Sequence, residues 1–153
     1  MDLVNGKNQQ ENIIFFGTDG IRGDAKTLFT VELLEKLGFL SDKVLPQKKP
    51  ILIGQDSRLS SPKIVTGLAD GLMASGREVW LLGLCPTPAV PLLIKRYDAA
   101  GGFMVSASHN PPEDNGIKIF DFNGEKLSSQ KKSIIDKGLQ EQSRIISPIR
   151  NNC

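Results

Sequence analysis

The sequence predicts an α/β fold, a three-layer α/β/α sandwich built on a mixed, mostly parallel sheet. Short apolar runs at residues 51–53, 79–84 and 102–106 alternate with stretches of helical periodicity at 30–45, 62–75 and 87–97. Strands separated by helices of about 10–15 residues pair in parallel through right-handed crossovers. The alternation then breaks. Past residue 116, Ile117 and Ile119 alternate with Lys118 and Phe120, the period-two pattern of a strand near an edge.

Each element has its own signal. Ile13-Ile14-Phe15-Phe16, closed by Gly17, reads as a short buried strand. Thr30 caps a helix over 30–45 in which Leu33, Leu34, Leu37, Leu40 and Val44 share one face. Pro50 precedes the strand Ile51-Leu52-Ile53, which ends at Gly54. Ser61 as N-cap and Pro62 at the first helical position open the next helix. Ile64, Val65, Leu68, Ala69, Leu72 and Met73 repeat along it, and Gly76 ends it. Val79 to Leu84 is apolar without alternation, as expected of a strand buried on both faces. A helix from Thr87-Pro88 to near Tyr97 and a strand from Gly102 to Ser106 follow. Asn123-Gly124 marks a turn, and Ser128 caps a last helix containing Ile134, Ile135 and Leu139.

A chain of 153 residues fits one domain and buries about 68–70% of its unfolded surface. Hydrophobic residues at 39% and charged residues at 24% exclude disorder, collagen and coiled coil. Nineteen Lys and Arg against 17 Asp and Glu give a net charge of +2. That excludes a dedicated nucleic-acid arm and leaves room for a local phosphate site. The longest apolar stretch, Val79 to Cys85, has seven residues, far short of the roughly 20 that span a bilayer. Cys85 and Cys153 are too few for a disulfide framework and lack metal-ligand spacing. The expectation is a soluble, cytoplasmic chain with no nucleic-acid or membrane partner. Residues 1–12 read as a flexible leader, 13–142 as the domain, and 143–153 as a tail or the start of a linker.

Ligands of α/β sheets gather at the carboxyl ends of strands, and three polar loops are expected there. The first, Gly17-Thr18-Asp19-Gly20-Ile21-Arg22-Gly23, is compatible with an anion nest carrying Arg22 onto a phosphate. The alternative, which composition alone favours, is a plain glycine turn with Arg22 on a surface carboxylate. In the second, Gly54-Gln55-Asp56-Ser57-Arg58, Asp56 and Arg58 read as an ion pair fixing the helix start, with direct substrate contact as the alternative. The third runs from Ser106 to Gly116 and holds the chain's single histidine, His109, beside Ser108. Lys118 lies on the strand leaving it. A serine-hydrolase triad fits badly, because neighbours on an extended chain point apart and there is no G-x-S-x-G elbow. A phosphoserine at Ser108 fits better. Its nearly two negative charges call for Lys118, His109, Arg22, backbone N–H groups and a divalent cation, for which Mg²⁺ is the natural choice.

The stretches Phe16–Gly23 and Ser106–Lys118 together resemble the α-D-phosphohexomutase superfamily, and within it the bacterial phosphoglucosamine mutases. The opening F-G-T-D-G-I-R-G and the loop S-A-S-H-N-P match residue for residue. Asp56-Ser57-Arg58, Gly83-Leu84-Cys85-Pro86-Thr87-Pro88 and Asp114-Asn115-Gly116-Ile117-Lys118 stand in the expected order. The resemblance covers about residues 13–142. It implies that Ser108 carries a phosphoryl group, passes it to a hexosamine 6-phosphate, and takes the other phosphate back from the 1,6-bisphosphate to leave the 1-phosphate. A hexose 1,6-bisphosphate is then the implied activator. His109 and Lys118 match positions that contact the phosphoserine, Arg22 one that steadies the phosphate, and Gly20 and Asn110 phosphate-binding or loop-shaping positions.

The chain also departs from that pattern. Family members have four domains and hold magnesium in a D-G-D-x-D-R loop of the second. No Asp-x-Asp occurs here, so the implied metal contact is Ser108 alone, through its phosphate. The sugar-recognition loop of the third domain and the phosphate loop of the fourth are likewise not found. The chain therefore reads as a first domain, not active alone, with a face left open for the missing domains or for self-association. Two alternatives stand beside this reading: a non-catalytic anion- or partner-binding remnant, and a mutase for another hexose phosphate.

Overall fold

The computed structural model describes residue 17 and residues 20–141. The expected leader, the strand at 13–16 and the tail beyond 142 lie outside the described residues. The first element is a strand, β1 (Ile21–Asp24), followed by a single helical turn, α1 (Ala25–Leu28). Asp24 caps that turn by accepting from the backbone N–H groups of Lys26 and Thr27, both at 3.1 Å. This corrects the reading of 17–23 as one loop. Arg22 stands in a strand whose pairing partner lies over 90 residues away, too remote for any local pattern to announce.

Helix α2 (Val31–Ser41) begins at Thr30, whose hydroxyl oxygen accepts from Leu33 N–H at 3.2 Å. It stops at Ser41, short of the expected residue 45. Ser41 Oγ donates to Leu37 O at 2.7 Å, and the turn that follows delivers Val44 and Leu45 to the core. Strand β2 (Ile51–Gln55) leads to helix α3 (Ser61–Ala74). Its N-cap is Ser60, one residue before the expected Ser61, and Ser60 makes no side-chain capping bond. The hydroxyls of Ser60 and Ser61 are occupied elsewhere, on Asn115 and Asp56. Gly76, at φ +89°, ends the helical segment.

Strand β3 (Val79–Leu84) overturns the expectation of burial on both faces: Leu81 and Leu84 are 61% and 71% exposed. It lies at the sheet edge. An unalternating apolar run does not distinguish an internal strand from an uncovered edge. Helix α4 (Ala89–Tyr97) ends at Asp98 in the left-handed conformation. Strand β4 (Gly101–Val105) is buried throughout, and β5 (Asp114–Phe120) nearly so. The Asn123-Gly124 turn is held by Asp121, whose Oδ1 accepts from Asn123 and Glu125 N–H. Helix α5 (Ser129–Gln140) starts at Ser128, which accepts from Lys131 N–H as expected of a cap.

The strands form one mixed sheet in the order β1-β5-β4-β2-β3. Strand β2 runs parallel to both β3 and β4, while β5 is antiparallel to β4 and to β1. Helices α2, α3 and α5 cover one face through Leu34, Leu37, Leu68, Leu72 and Ile135, packed on Ile51, Ile53, Phe103, Ile117 and Ile119. Helix α4 covers the other through Val90 and Ile94, against Leu52, Met104 and Phe120. This is the three-layer sandwich the sequence predicts. Phe120, which alternates with Ile117 and Ile119 along β5, is buried under this second layer. Glycines let α2 and α3 meet closely: a Cβ on Gly71 would stand 2.1 Å from Glu35 O, and one on Gly38 2.4 Å from Leu68 O.

Candidate active site

Strands β2 and β4 are parallel neighbours, so their carboxyl ends open side by side, where α/β sheets bind ligands. Asp56 N–H donates to Val105 O at 3.0 Å, which joins the two exits. Beyond them lies a cleft of about 440 Å³ lined by Asp56, Ser57, Arg58 and Leu59 on one side and Ser108, Asn110 and Pro112 on the other.

The Ser108 loop is tightly built. Ser108 itself is exposed and has φ +51°. A left-handed conformation at a non-glycine residue costs ~1–3 kcal/mol and persists only where the surroundings over-determine it. Its N–H donates to Ser106 Oγ at 3.1 Å. Asn110 N–H donates to Ala107 O at 3.0 Å, and Asn110 Nδ2 to Asp114 Oδ2 at 3.2 Å. From the other wall Arg58 reaches in: Nη2 donates to Ser108 O and Asn110 O, both at 3.0 Å, and Nη1 to Pro111 O and Asp114 O at 2.5 and 3.1 Å.

Asp56 anchors that guanidinium. Its Oδ2 accepts from Arg58 Nε at 3.0 Å, and its Oδ1 from Ser61 Oγ at 2.7 Å and Arg58 N–H at 3.1 Å. Burial acts to raise its carboxyl pKa. Hydrogen bonds from Ser61, the Arg58 N–H, Ser106 and the Arg58 side chain outweigh that and hold it below the usual value. The ion pair expected at the start of α3 is present, and it does more than start the helix. Asn115 also escaped the sequence reading. Fully buried, it donates to Ser60 and Ser61 Oγ at 2.8 and 3.0 Å and accepts from Gly116 N–H at 2.8 Å. Asp-Asn-Gly in sequence signals only a turn, so neither tether was visible.

The remaining expected site residues divide by position. Ser108 and Asn110 line the cleft; His109, Lys118, Arg22 and Gly20 are not among its walls. His109 is exposed on the loop beside Ser108. Lys118 is half-buried on β5, opposite Met104. Arg22 stands opposite Gly116, and since alternate residues share a sheet face, Arg22 and Lys118 lie on the same one. Arg22 Nε is buried with no hydrogen-bond partner among the described residues. A buried donor in that state costs ~1–3 kcal/mol until an acceptor arrives. Gly20, at φ +85°, crosses β5 so closely that a Cβ would lie 2.1 Å from Ile117 O.

Among the described residues no group of three or more His, Cys, Asp or Glu side chains comes together that could hold a metal ion. The cleft carboxylate, Asp56, is engaged by Arg58 and Ser61. The described residues do not by themselves fit a resident Mg²⁺. Cys85 is half-buried and unbonded to sulfur, and burial pushes its thiol pKa up.

Residues 14–145 match the family model described as phosphoglucomutase/phosphomannomutase, alpha/beta/alpha domain I. The chain is 54% identical over 153 residues to a phosphoglucosamine mutase of Prochlorococcus marinus, covering 98% of this chain and 33% of that protein. Among solved structures, a protein described as a phosphomannomutase from Thermus thermophilus superposes with a TM-score of 0.77 at 31% identity, over 86% of this chain and 31% of that one. A phosphoglucomutase/phosphomannomutase family protein from Burkholderia thailandensis gives 0.73 at 26% identity, over 82% and 29%. The chain spans about a third of the length of the curated relatives it matches.

Proposed function

The chain belongs to the phosphoglucomutase/phosphomannomutase family, matching its alpha/beta/alpha domain I, and from that membership we propose that it is the phosphoserine-bearing first domain of a phosphoglucosamine mutase. The observation that carries this is Ser108, exposed at a strained φ of +51° on a loop tied at both ends. A side chain held outward this way suits repeated gain and loss of a phosphoryl group.

In the forward reaction, the phosphoryl group leaves Ser108 Oγ for O1 of glucosamine 6-phosphate. The Oγ–P bond breaks, an O1–P bond forms, and the O1 proton passes through a base to Oγ. After the 1,6-bisphosphate turns over, Oγ attacks the other phosphate. The O6–P bond breaks, O6 takes the proton, and Ser108 is phosphorylated again. Lys118 and Arg22 supply positive charge to the transferring group, and the partnerless Nε of Arg22 supports that role. In this reading His109, next to Ser108 in the chain, exchanges the proton or adds charge, and Gly20 and Asn110 shape the phosphate's surroundings.

The similarity to phosphoglucosamine mutases supports glucosamine phosphate as substrate, and the structural likeness to a protein described as a phosphomannomutase keeps another hexose phosphate as the second reading. Exposed Trp80, Leu81 and Leu84 on β3, with Leu92 and Tyr97 on α4, support a unit that works against further domains. The test is intact-mass spectrometry after incubation with glucosamine or glucose 1,6-bisphosphate and Mg²⁺, with Ser108→Ala as control. Gain of one phosphoryl group by the wild type alone is expected. Equal labelling of Ser108→Ala would remove Ser108 from the reaction.

A further inference from the structure

We infer that Arg58 is a positioning residue for phosphoryl transfer at Ser108, acting through the loop backbone and not on the sugar phosphate; this rests on the phosphoserine reading above. A guanidinium has five N–H donors in a rigid plane. Here its three nitrogens serve five acceptors: Nε takes Asp56 Oδ2, and Nη1 and Nη2 take the carbonyls of Pro111, Asp114, Ser108 and Asn110. Four of the five acceptors lie within one seven-residue stretch. No donor is left over for a ligand phosphate, which separates Arg58 from Arg22, whose Nε has no partner among the described residues.

The carbonyl of Ser108 is one of the four, and Ser108 is the residue at φ +51°. Fixing that carbonyl fixes the peptide plane following Ser108, and hence ψ at the residue that holds the left-handed turn. Asp56 prevents the guanidinium from following the loop, because its carboxylate is itself tied to Ser61 at the start of α3. The strap therefore transmits the rigid position of α3 to the phosphate-carrying atom. Lysine cannot replace it: an ammonium has three donors radiating from one point and cannot span carbonyls on both sides of the loop while holding Asp56.

The experiment compares wild type, Arg58→Lys and Arg58→Ala by two readouts. Amide hydrogen exchange at Ser108, Asn110 and Asp114, whose N–H groups are bonded within the loop, should quicken at least tenfold in Arg58→Lys while β4 and α3 stay protected. Ser108 loading from glucose 1,6-bisphosphate, followed by intact mass, should fall about a hundredfold at saturation with the half-saturating concentration within twofold of wild type. Ethylguanidinium should restore part of the rate to Arg58→Ala. Unchanged loop exchange, or a loss carried wholly by weaker bisphosphate binding, overturns the inference. Loss of protection across β4 and α3 also overturns it, because Arg58 is then a strut of the whole domain. A wild type that never loads counts against the phosphoserine reading, and the exchange comparison then decides the strap alone.

Discussion

Arg22 on β1 and Gly116 on β5 face each other across an antiparallel pair, and a Cβ built on Gly116 would lie 3.0 Å from Arg22 Cγ. The same Cβ would stand 2.6 Å from Ser106 O at the base of the serine loop. Gly116→Ala should therefore shift both strands and the arginine. The expected cost is ~1–3 kcal/mol of stability from overpacking, read from urea midpoints. Phosphoryl loading of Ser108 should fall by more than the stability loss accounts for. An alanine variant with wild-type midpoint and loading would show that β1 gives way freely.

Asn115→Ala should destabilise the chain by ~2–4 kcal/mol. It deletes three hydrogen bonds in a fully buried place and leaves the Gly116 N–H without its acceptor. Thermal unfolding of variant and wild type at equal concentration measures this. A loss under about 0.5 kcal/mol would mean that water takes over the amide's role.

Gly71→Ala inverts the usual helix preference. Alanine is better than glycine in a helix interior by about 1 kcal/mol, but here its Cβ would meet Glu35 O at 2.1 Å, so α2 and α3 must separate. We expect a net loss of ~2 kcal/mol or more, seen as a lower urea midpoint, whereas Gly76→Ala meets no atom within 4 Å and is limited by its φ of +89° alone.

Asp56 makes stability depend on acid. Its folded pKa lies below that of the unfolded carboxyl, 3.8, so the folded state binds its proton less readily. The contribution is complete above the unfolded value and disappears as pH falls through the folded one. Urea midpoints measured from pH 6 to pH 2.5 should drop in the wild type below about pH 4, and Asp56→Asn should flatten that part of the curve. Parallel curves would assign the acid sensitivity to other carboxylates.

Much of this architecture was legible because its signals are local. Thr30 and Ser128 cap helices where the sequence puts them, and the apolar spacing of α2 and α3 turned out to be their packed face, except at Met73, which is exposed. Most of the errors share one cause. Strand β1 is held by a partner strand across the sheet, Ser61 is turned from cap to anchor, with Asn115 bonded to it from 54 residues away, and β3 leaves Leu81 and Leu84 exposed because it is the edge strand of the sheet. Each depends on a neighbour distant in the chain.

The same division runs through the site. Residue types and the resemblance singled out Ser108, His109, Lys118 and Arg22 as expectations; of these only Ser108 lines the cleft. Sequence also determined the sandwich class, through periodicity that hydrophobic burial enforces on any helix or strand. Tertiary structure alone decided that Arg58 holds the serine loop from 50 residues away, that Asn115 ties β5 to α3, and that Arg22 Nε is buried with no partner among the described residues. Hydrogen bonds depend on the position of both ends in space, and for these contacts the chain brings the ends together only once the sheet has closed.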